Sequence, residues 1–336
     1  MNIPKKVFVV IGSNCFTGSH IVDALLGDSH NQVIGISRSP EYKDFYLPYK
    51  RRRNPLFRFY QLDLVRQFEE VIRLLGKVNP HVVINVAALS EVALSNERPE
   101  EYIETNTLAI VKLCNYLRRC SYLEQYIHIS SAEIFGTCEK PVNEEILFNP
   151  NTPYAVSKAA ADMYLNTLIN NYGFPATLIR STNIYGKHQQ LFKIIPRTVI
   201  YLKLGKKIEL HGGGKAMKSF IHIRDVVSGV ILSIERGKPG TYHFTVASKQ
   251  TIADIVRNIC MGMGQDFEST TVVVGERLGQ DSHYWLNCSK AMRELRWEPQ
   301  VTFERGIKEV IEWIENNWAS IKHEPLVYIH KGYTAL

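Results

Sequence analysis

Short apolar runs alternate with segments of helical spacing through the first half of the chain, and no other feature constrains the fold as much. Lys6-Val-Phe-Val-Val-Ile11 is a continuous apolar run ended by Gly12, as expected of a strand covered on both faces. Ser19–Gly27 follows with Ile21, Ala24 and Leu25 at helical spacing. Further runs stand at Val33–Ile36, Phe57–Leu62, Val82–Val86 and Gln125–Ile129, with helical patterns between them, notably Arg66–Leu75 and Tyr102–Arg118. Strand, helix, strand at this pace means βαβ units with right-handed crossovers, hence an α/β chain built on a doubly wound parallel sheet.

After Gly186 the alternation loosens. Helical patterns at Ile252–Met261, Ser289–Leu295 and Phe303–Trp318 and a Gly212-Gly-Gly214 turn, read as a hairpin, suggest a smaller second domain. The expected division is 1–186 with 219–248 for the larger domain, 187–218 with 249–322 for the smaller, and a docked tail at 323–336. With 336 residues, 45% of them apolar and 22% charged, the chain can bury a sizeable core, which excludes disordered and fibrous classes. Its net charge of +7 favours an anionic partner: nucleic acid, a membrane surface or a phosphorylated small molecule. The run Val7–Ile11 is too short for a signal-peptide core, and no stretch approaches the ~18 apolar residues of a spanning helix. Six cysteines without a C-x-x-C pair or clustered histidines read as thiols in a reducing cytoplasm, with no metal site.

Gly12-Ser-Asn-Cys-Phe-Thr-Gly18 lies between the first strand and the first helix. A turn there offers backbone N–H groups and a helix N-terminus to a diphosphate, and glycines allow the close approach. The usual pattern has three glycines; here Cys15 holds the middle position. Asn14, Cys15, Phe16 and Thr17 complete the expected cradle. The second strand ends in Ser37-Arg38-Ser39, where NAD binders carry an acid for the ribose hydroxyls. An arginine with two hydroxyls suits a 2′-phosphate, so NADP is expected, with NAD as the alternative. Lys50-Arg-Arg-Arg53 is either part of that site or a solvated loop. Asp63, followed by Leu64, stands either against the adenine or as a helix cap.

Tyr154-Ala-Val-Ser-Lys158 opens a helix expected to run to about Asn171, and the i, i+4 spacing puts Tyr154 and Lys158 on one face. A lysine cation beside a phenol lowers its pKa and makes a base for an alcohol proton. The preceding strand, Ile127-His-Ile-Ser-Ser131, delivers Ser131 to the carboxyl edge of the sheet, where it would hydrogen-bond the reacting oxygen. His128, alternating with apolar neighbours, reads as a packed core histidine.

Taken together, these segments resemble the extended short-chain dehydrogenase/reductase superfamily, in its nucleotide-sugar epimerase and dehydratase branch. The resemblance is carried by Gly12–Gly18, Asn85–Ser90, Thr105-Asn106, Ser130–Gly136, Thr152–Lys158, Arg180–Gly186, Ser219–Asp225 and Glu276–Asp281, and covers the chain to about Trp318. It implies a Rossmann-type cofactor domain with a smaller C-terminal α/β substrate-binding domain. It further implies Ala87, Ala88 and Asn106 at the cofactor, and Ser90, Asn183, Lys218 and Arg277 at the substrate, with Ser90 and Asn106 alternatively only satisfying backbone. Glu133 is the discriminating residue: members that only epimerise at C4 usually lack an acid there, while 4,6-dehydratases and uronate decarboxylases carry one. By this resemblance Glu133 takes the C5 proton of a C4 ketone, water leaves from C6, and the cofactor is regenerated in place. Ala132 replaces an Asp that many dTDP-glucose dehydratases carry, and Lys218 replaces an arginine on the diphosphate. The expected activity is therefore a nucleotide-sugar 4,6-dehydratase, with an epimerase, a decarboxylase or a non-catalytic dinucleotide-binding protein as alternatives. A homodimer is expected, without nucleic acid or membrane partners, through helices such as Tyr102–Arg118 and Tyr154–Asn171. The stripe Ala155, Ala159, Met163 fits either that contact or packing on the sheet.

Overall fold

The computed structural model describes residues 6–275 and 285–330. Strand β1 (Val7–Ile11) is followed by helix α1 (Phe16–Leu25), β2 (Gln32–Ser37), β3 (Phe57–Gln61), α2 (Phe68–Val78) and β4 (Val82–Asn85). Next come α3 (Ala109–Leu117), β5 (Gln125–Ile129), α4 (Pro153–Tyr172), β6 (Ala176–Ser181), α5 (Ile194–Lys203), α6 (Ile223–Arg236) and β7 (Gly240–Phe244). The strands form one seven-stranded sheet in the order β7-β6-β5-β4-β1-β2-β3, parallel throughout. This is the Rossmann-type doubly wound sheet that the alternation implied. Strand order reverses between β1 and β4, so their carboxyl ends open a crevice at the switch point, where α/β proteins bind ligands.

The apolar runs are continuous because both faces are covered. Val10, Ile84, Ile127 and Ile179 pack toward α1 and α6 on one face. On the other, Val9, Val83, Tyr126 and Leu178 pack toward α2, α3 and α4. A third core joins α5, α7 (Ile252–Gly262) and α8 (Phe303–Asn316) through Val199, Ile255, Val310 and Trp313.

Three local expectations change. The helix expected over Tyr102–Arg118 runs without interruption from Pro99 to Leu117, but carries a π-helical turn at Glu104–Leu108 between Pro99–Ile103 and α3. Side-chain bonds hold the wider turn: Asn106 reaches Leu89 and Ser157, and Thr107 Oγ1 donates to Ser157 O at 2.8 Å. Gly212–Gly214 does not close a hairpin, since the preceding strand Ile208–His211 pairs in parallel with Thr271–Val274. The basic run 50–53 folds onto α1, with Arg52 Nε 2.6 Å from Asp23 Oδ1 and Lys50 near Glu41 and Asp44.

Candidate active site

The turn after β1 meets the β4 end so closely that glycine is required. Gly12 has φ +89°, and a Cβ there would lie 2.6 Å from Ala87 N. At Gly18 a Cβ would lie 2.1 Å from Gly12 O, so this glycine lets α1 pack against its own turn. Cys15 caps α1, its Sγ accepting from Gly18 N at 3.3 Å, and burial pushes the thiol up to about 11. It therefore stays protonated as a cap. The turn is tied to β2 by Asn14 N donating to Ser37 Oγ at 3.0 Å, while the Asn14 carboxamide binds Ser39 and accepts from Tyr42 N. The two hydroxyls expected to serve a 2′-phosphate thus also brace the turn, as acceptors. Arg38 lines the cavity.

That cavity, about 580 Å³, runs along the crevice. Its wall includes Gly12, Asn14, Cys15, Phe16, Asp63, Leu64, Ala87, Ala88 and Ser90. Asp63 lines the cavity and closes the turn before α2 without capping that helix, whose N-cap is Gln67: its Oδ1 accepts from Val65 N at 2.7 Å and Arg66 N at 3.2 Å. Two irregular stretches roof it. Tyr42 and Tyr46 come from the segment after β2, and Glu324, Val327, Tyr328 and Ile329 from the tail. Lys43 pairs with Glu324, the Tyr328 ring lies 5.4 Å from that of Phe192, and His330 Nε2 is 2.9 Å from Glu101.

The catalytic candidates meet at the mouths of β5 and α4. Thr152 Oγ1 accepts from Ala155 N at 3.2 Å, Pro153 opens α4, and Gly173 at φ +61° ends it, so the helix start is fixed. Ser131 Oγ accepts from Glu133 N at 3.1 Å, and Ser131 is also hydrogen-bonded to Tyr154. Burial pushes the Tyr154 phenol up, Glu133 pushes it further, and the Ser131 bond pulls it back, so the phenol stands above its ordinary value and not below it as the lysine pairing led us to expect. Lys158 is 2% exposed, and burial lowers its ammonium to about 8 against a supporting charge from Asp162. Its Nζ donates to Ile129 O at 2.7 Å and lies 3.3 Å from His128 Nε2. Asp162 is held by Arg180 at 2.9 Å and Ser130 at 2.8 Å, a buried pair that fixes α4 against β5 and β6.

The family model for GDP-mannose 4,6-dehydratase matches residues 9–310. The chain belongs to this family. The dTDP-glucose 4,6-dehydratase of Haemophilus influenzae is 26% identical over 334 residues, spanning 93% of this chain and 98% of the relative. Among solved structures, DesIV, a dTDP-glucose 4,6-dehydratase from Streptomyces venezuelae solved with NAD bound, superposes with a TM-score of 0.85 at 27% identity. It covers 93% of this chain and 98% of DesIV. A UDP-N-acetylglucosamine 4-epimerase from Methanobrevibacter ruminantium superposes with a TM-score of 0.84 at 25% identity, covering 94% of this chain and 100% of the epimerase. The chain is thus a member of the nucleotide-sugar dehydratase and epimerase group.

Within this family member the expected residues fall into two sets. Ser131, Glu133, Tyr154 and Lys158 come together, and the phosphate turn, Arg38, Asp63, Leu64, Ala87, Ala88 and Ser90 line or edge the crevice. Thr17 and Gly18 belong to the helix start and do not line the cavity. Asn106 stands behind the wall, its carboxamide spent on both backbone groups of Leu89 at 2.9 Å and on Ser157. Asn183 Nδ2 donates to Ser219 O at 3.2 Å, and Lys218 sits in the short strand Met217–Lys218. Arg277 lies outside the described residues. Sequence reasoning missed Thr105, Glu91, His188, Phe192 and the tail, all of which line the cavity. Thr105 stood in the Thr105-Asn106 segment that carries the resemblance, and the tail was expected only as a docked extension.

Proposed function

We propose that the chain is a nucleotide-sugar 4,6-dehydratase, converting an NDP-hexose to an NDP-4-keto-6-deoxyhexose. The observation that carries this reading is Glu133 standing with Ser131 and Tyr154 at one corner, close enough for its charge to act on the phenol. The crevice suits a dinucleotide: a glycine turn with no room for a Cβ, a helix N-terminus and a long cavity. DesIV, so similar in fold, was solved with NAD. A nicotinamide dinucleotide held by Gly12, Asn14, Cys15, Phe16, Asp63, Ala87 and Ala88 supplies a hydride acceptor that later becomes a donor. Arg38, facing the cavity, supports NADP, and NAD is the alternative.

Tyr154 takes the proton of the substrate O4 hydroxyl as C4 is oxidised, with Ser131 directing that oxygen. Lys158 holds a positive charge behind the phenol. Glu133 then takes the C5 proton, made acidic by the neighbouring C4 ketone, while hydroxide leaves C6 as water on receiving a proton. With Ala132 unable to supply it, Glu133 delivers that proton after abstraction. A solvent proton, passed on by Glu133, then adds to C5 as C6 is reduced, and Tyr154 gives the O4 proton back to solvent. Asn183 and Lys218, with Arg277 as the resemblance implies, are proposed to hold the nucleotide diphosphate.

C4 epimerisation is the second reading, favoured by Ala132 and by the epimerase of similar fold. Incubation with a panel of NDP-hexoses separates the two. A product lighter by one water supports the dehydratase, and an isomer of unchanged mass overturns it.

Pairing into a homodimer is supported by Val156 and Met163, exposed at 43% and 61% on α4, beside exposed Ile103 and Leu108. Ala155 and Ala159 are buried against the protein's own core and take no part. Sedimentation showing only monomer mass would contradict it. Six cysteines, none in a disulfide, support a reducing cytoplasm, and among the described residues no helix is long and apolar enough to cross a membrane.

A further inference from the structure

Beneath the catalytic corner lies a titratable side chain that the steps above leave unused. His128 on β5 is fully buried, with Nε2 3.3 Å from Lys158 Nζ. An ammonium has three N–H donors and no acceptor. Ile129 O takes one at 2.7 Å, His128 faces a second, and the third is left for the ligand side. At 2% exposure Lys158 has no water to turn to, so an unmet N–H there is costly.

We infer that His128 is a positioning residue for Lys158: its Nε2 accepts one ammonium N–H and so fixes both the charge and the direction of the lysine. The consequence for turnover rests on the dehydratase reading; the contact itself does not.

Acceptance at Nε2 requires the ring proton on Nδ1, and the surroundings provide for it. Nδ1 lies 3.3 Å from the Tyr126 hydroxyl and 3.5 Å from the Asn85 carboxamide. The Asn85 Oδ1 is buried and otherwise without a partner; turned toward the ring, it accepts from Nδ1–H. Burial, then the Lys158 and Arg180 charges, hold the imidazole well below its usual range, which keeps it a neutral acceptor. The other groups facing the pair are accounted for. Tyr154 and Asp162 lie one turn to either side of Lys158 on α4, Arg180 of β6 is bonded to Asp162, and Glu133 faces Tyr154.

The test compares His128→Leu, which removes the acceptor, with His128→Gln, which keeps one within reach of the same place. In full-length protein carrying carbon-13 lysine, the Lys158 titration is followed by NMR at Cε and assigned with Lys158→Arg. In His128→Leu the midpoint moves down by about one pH unit, the equivalent of one hydrogen bond to a charged group. In His128→Gln it returns close to wild type. In turnover, the alkaline limb of kcat/KM against pH, where Lys158 loses its charge, moves down by the same amount in the leucine variant and recovers in the glutamine variant. Should the leucine variant not fold, His128→Met serves as the acceptor-poor partner. An unmoved Lys158 midpoint, or an equal shift in both variants, overturns the inference. Because the lysine titration needs no substrate, a wild-type protein inactive on every NDP-hexose would sink the dehydratase reading and leave this result standing.

Discussion

Beside the cavity and outside its lining, Tyr154 and Lys158 form a catalytic floor on a helix of 20 residues, capped at both ends and locked by an Arg180–Asp162 pair no more than 1% exposed. Above it, Tyr42, Tyr46 and Val327–Ile329 belong to irregular chain held at its edges by partly exposed pairs, Lys43–Glu324 and His330–Glu101. The floor is fixed by groups that cannot be separated without leaving a buried charge, which costs several kcal/mol. The roof is fixed by contacts typically worth about 0–1 kcal/mol each. A site built this way keeps its reacting groups in register while its cover can come away.

The sharpest way to break this contrast is to change the floor's chemistry alone. Glu133→Gln is expected to lower 4-keto-6-deoxy product formation by about 10²–10³-fold, while leaving C4 oxidation partly intact, as read by transient absorbance of the reduced nicotinamide. Full turnover in this variant would remove Glu133 as the base.

A smaller effect tests the cost of the floor. Burial holds Lys158 near 8, below its ordinary 10.5, so at pH 7 the folded chain carries a buried charge at a cost of roughly 3 kcal/mol. Above pH 10.5 the lysine is neutral folded or unfolded and the cost is gone. Lys158→Met, after losing the bonds to His128 and Ile129, is expected to gain about 1–2 kcal/mol at pH 7. Thermal melts should show that gain fading as pH rises from about 8 to 10.5. A variant less stable than wild type at pH 7 would show that the lysine's hydrogen bonds outweigh its burial.

The smallest effect belongs to the roof. Truncation after Lys322 removes Glu324, Tyr328 and His330 together. Dinucleotide affinity by calorimetry should weaken by about tenfold, the loss of 1–2 kcal/mol of edge contacts, with kcat at saturation little changed. Unchanged affinity would mean that the tail covers the cavity without gripping what lies inside.

The same contrast explains how much could be read in advance. The floor was legible because its signals are local: apolar runs buried on both faces, a glycine turn after β1, and Tyr154 and Lys158 one turn apart. What it hid was long-range. His128 is separated from Lys158 by thirty positions and looks, in its strand, like any packed residue. The π-helical turn at Glu104–Leu108 arises from side chains bonding to Leu89 and Ser157, far off in sequence. Ser37 and Ser39 were legible as hydroxyls but not as braces for Asn14. The roof gave least, since segment 41–46 and the tail take their shape from the cavity edge and not from any period of their own.

The central claim is elimination from C5 and C6 with Glu133 as the base. It is tested most directly by running the reaction on an NDP-hexose in deuterium oxide, with the C4 hydrogen of the sugar separately labelled, and reading the product by NMR and mass. The account predicts a 4-keto-6-deoxy sugar with solvent deuterium at C5 and the C4 label at C6. A product with its C6 hydroxyl retained and its label back at C4 would contradict it.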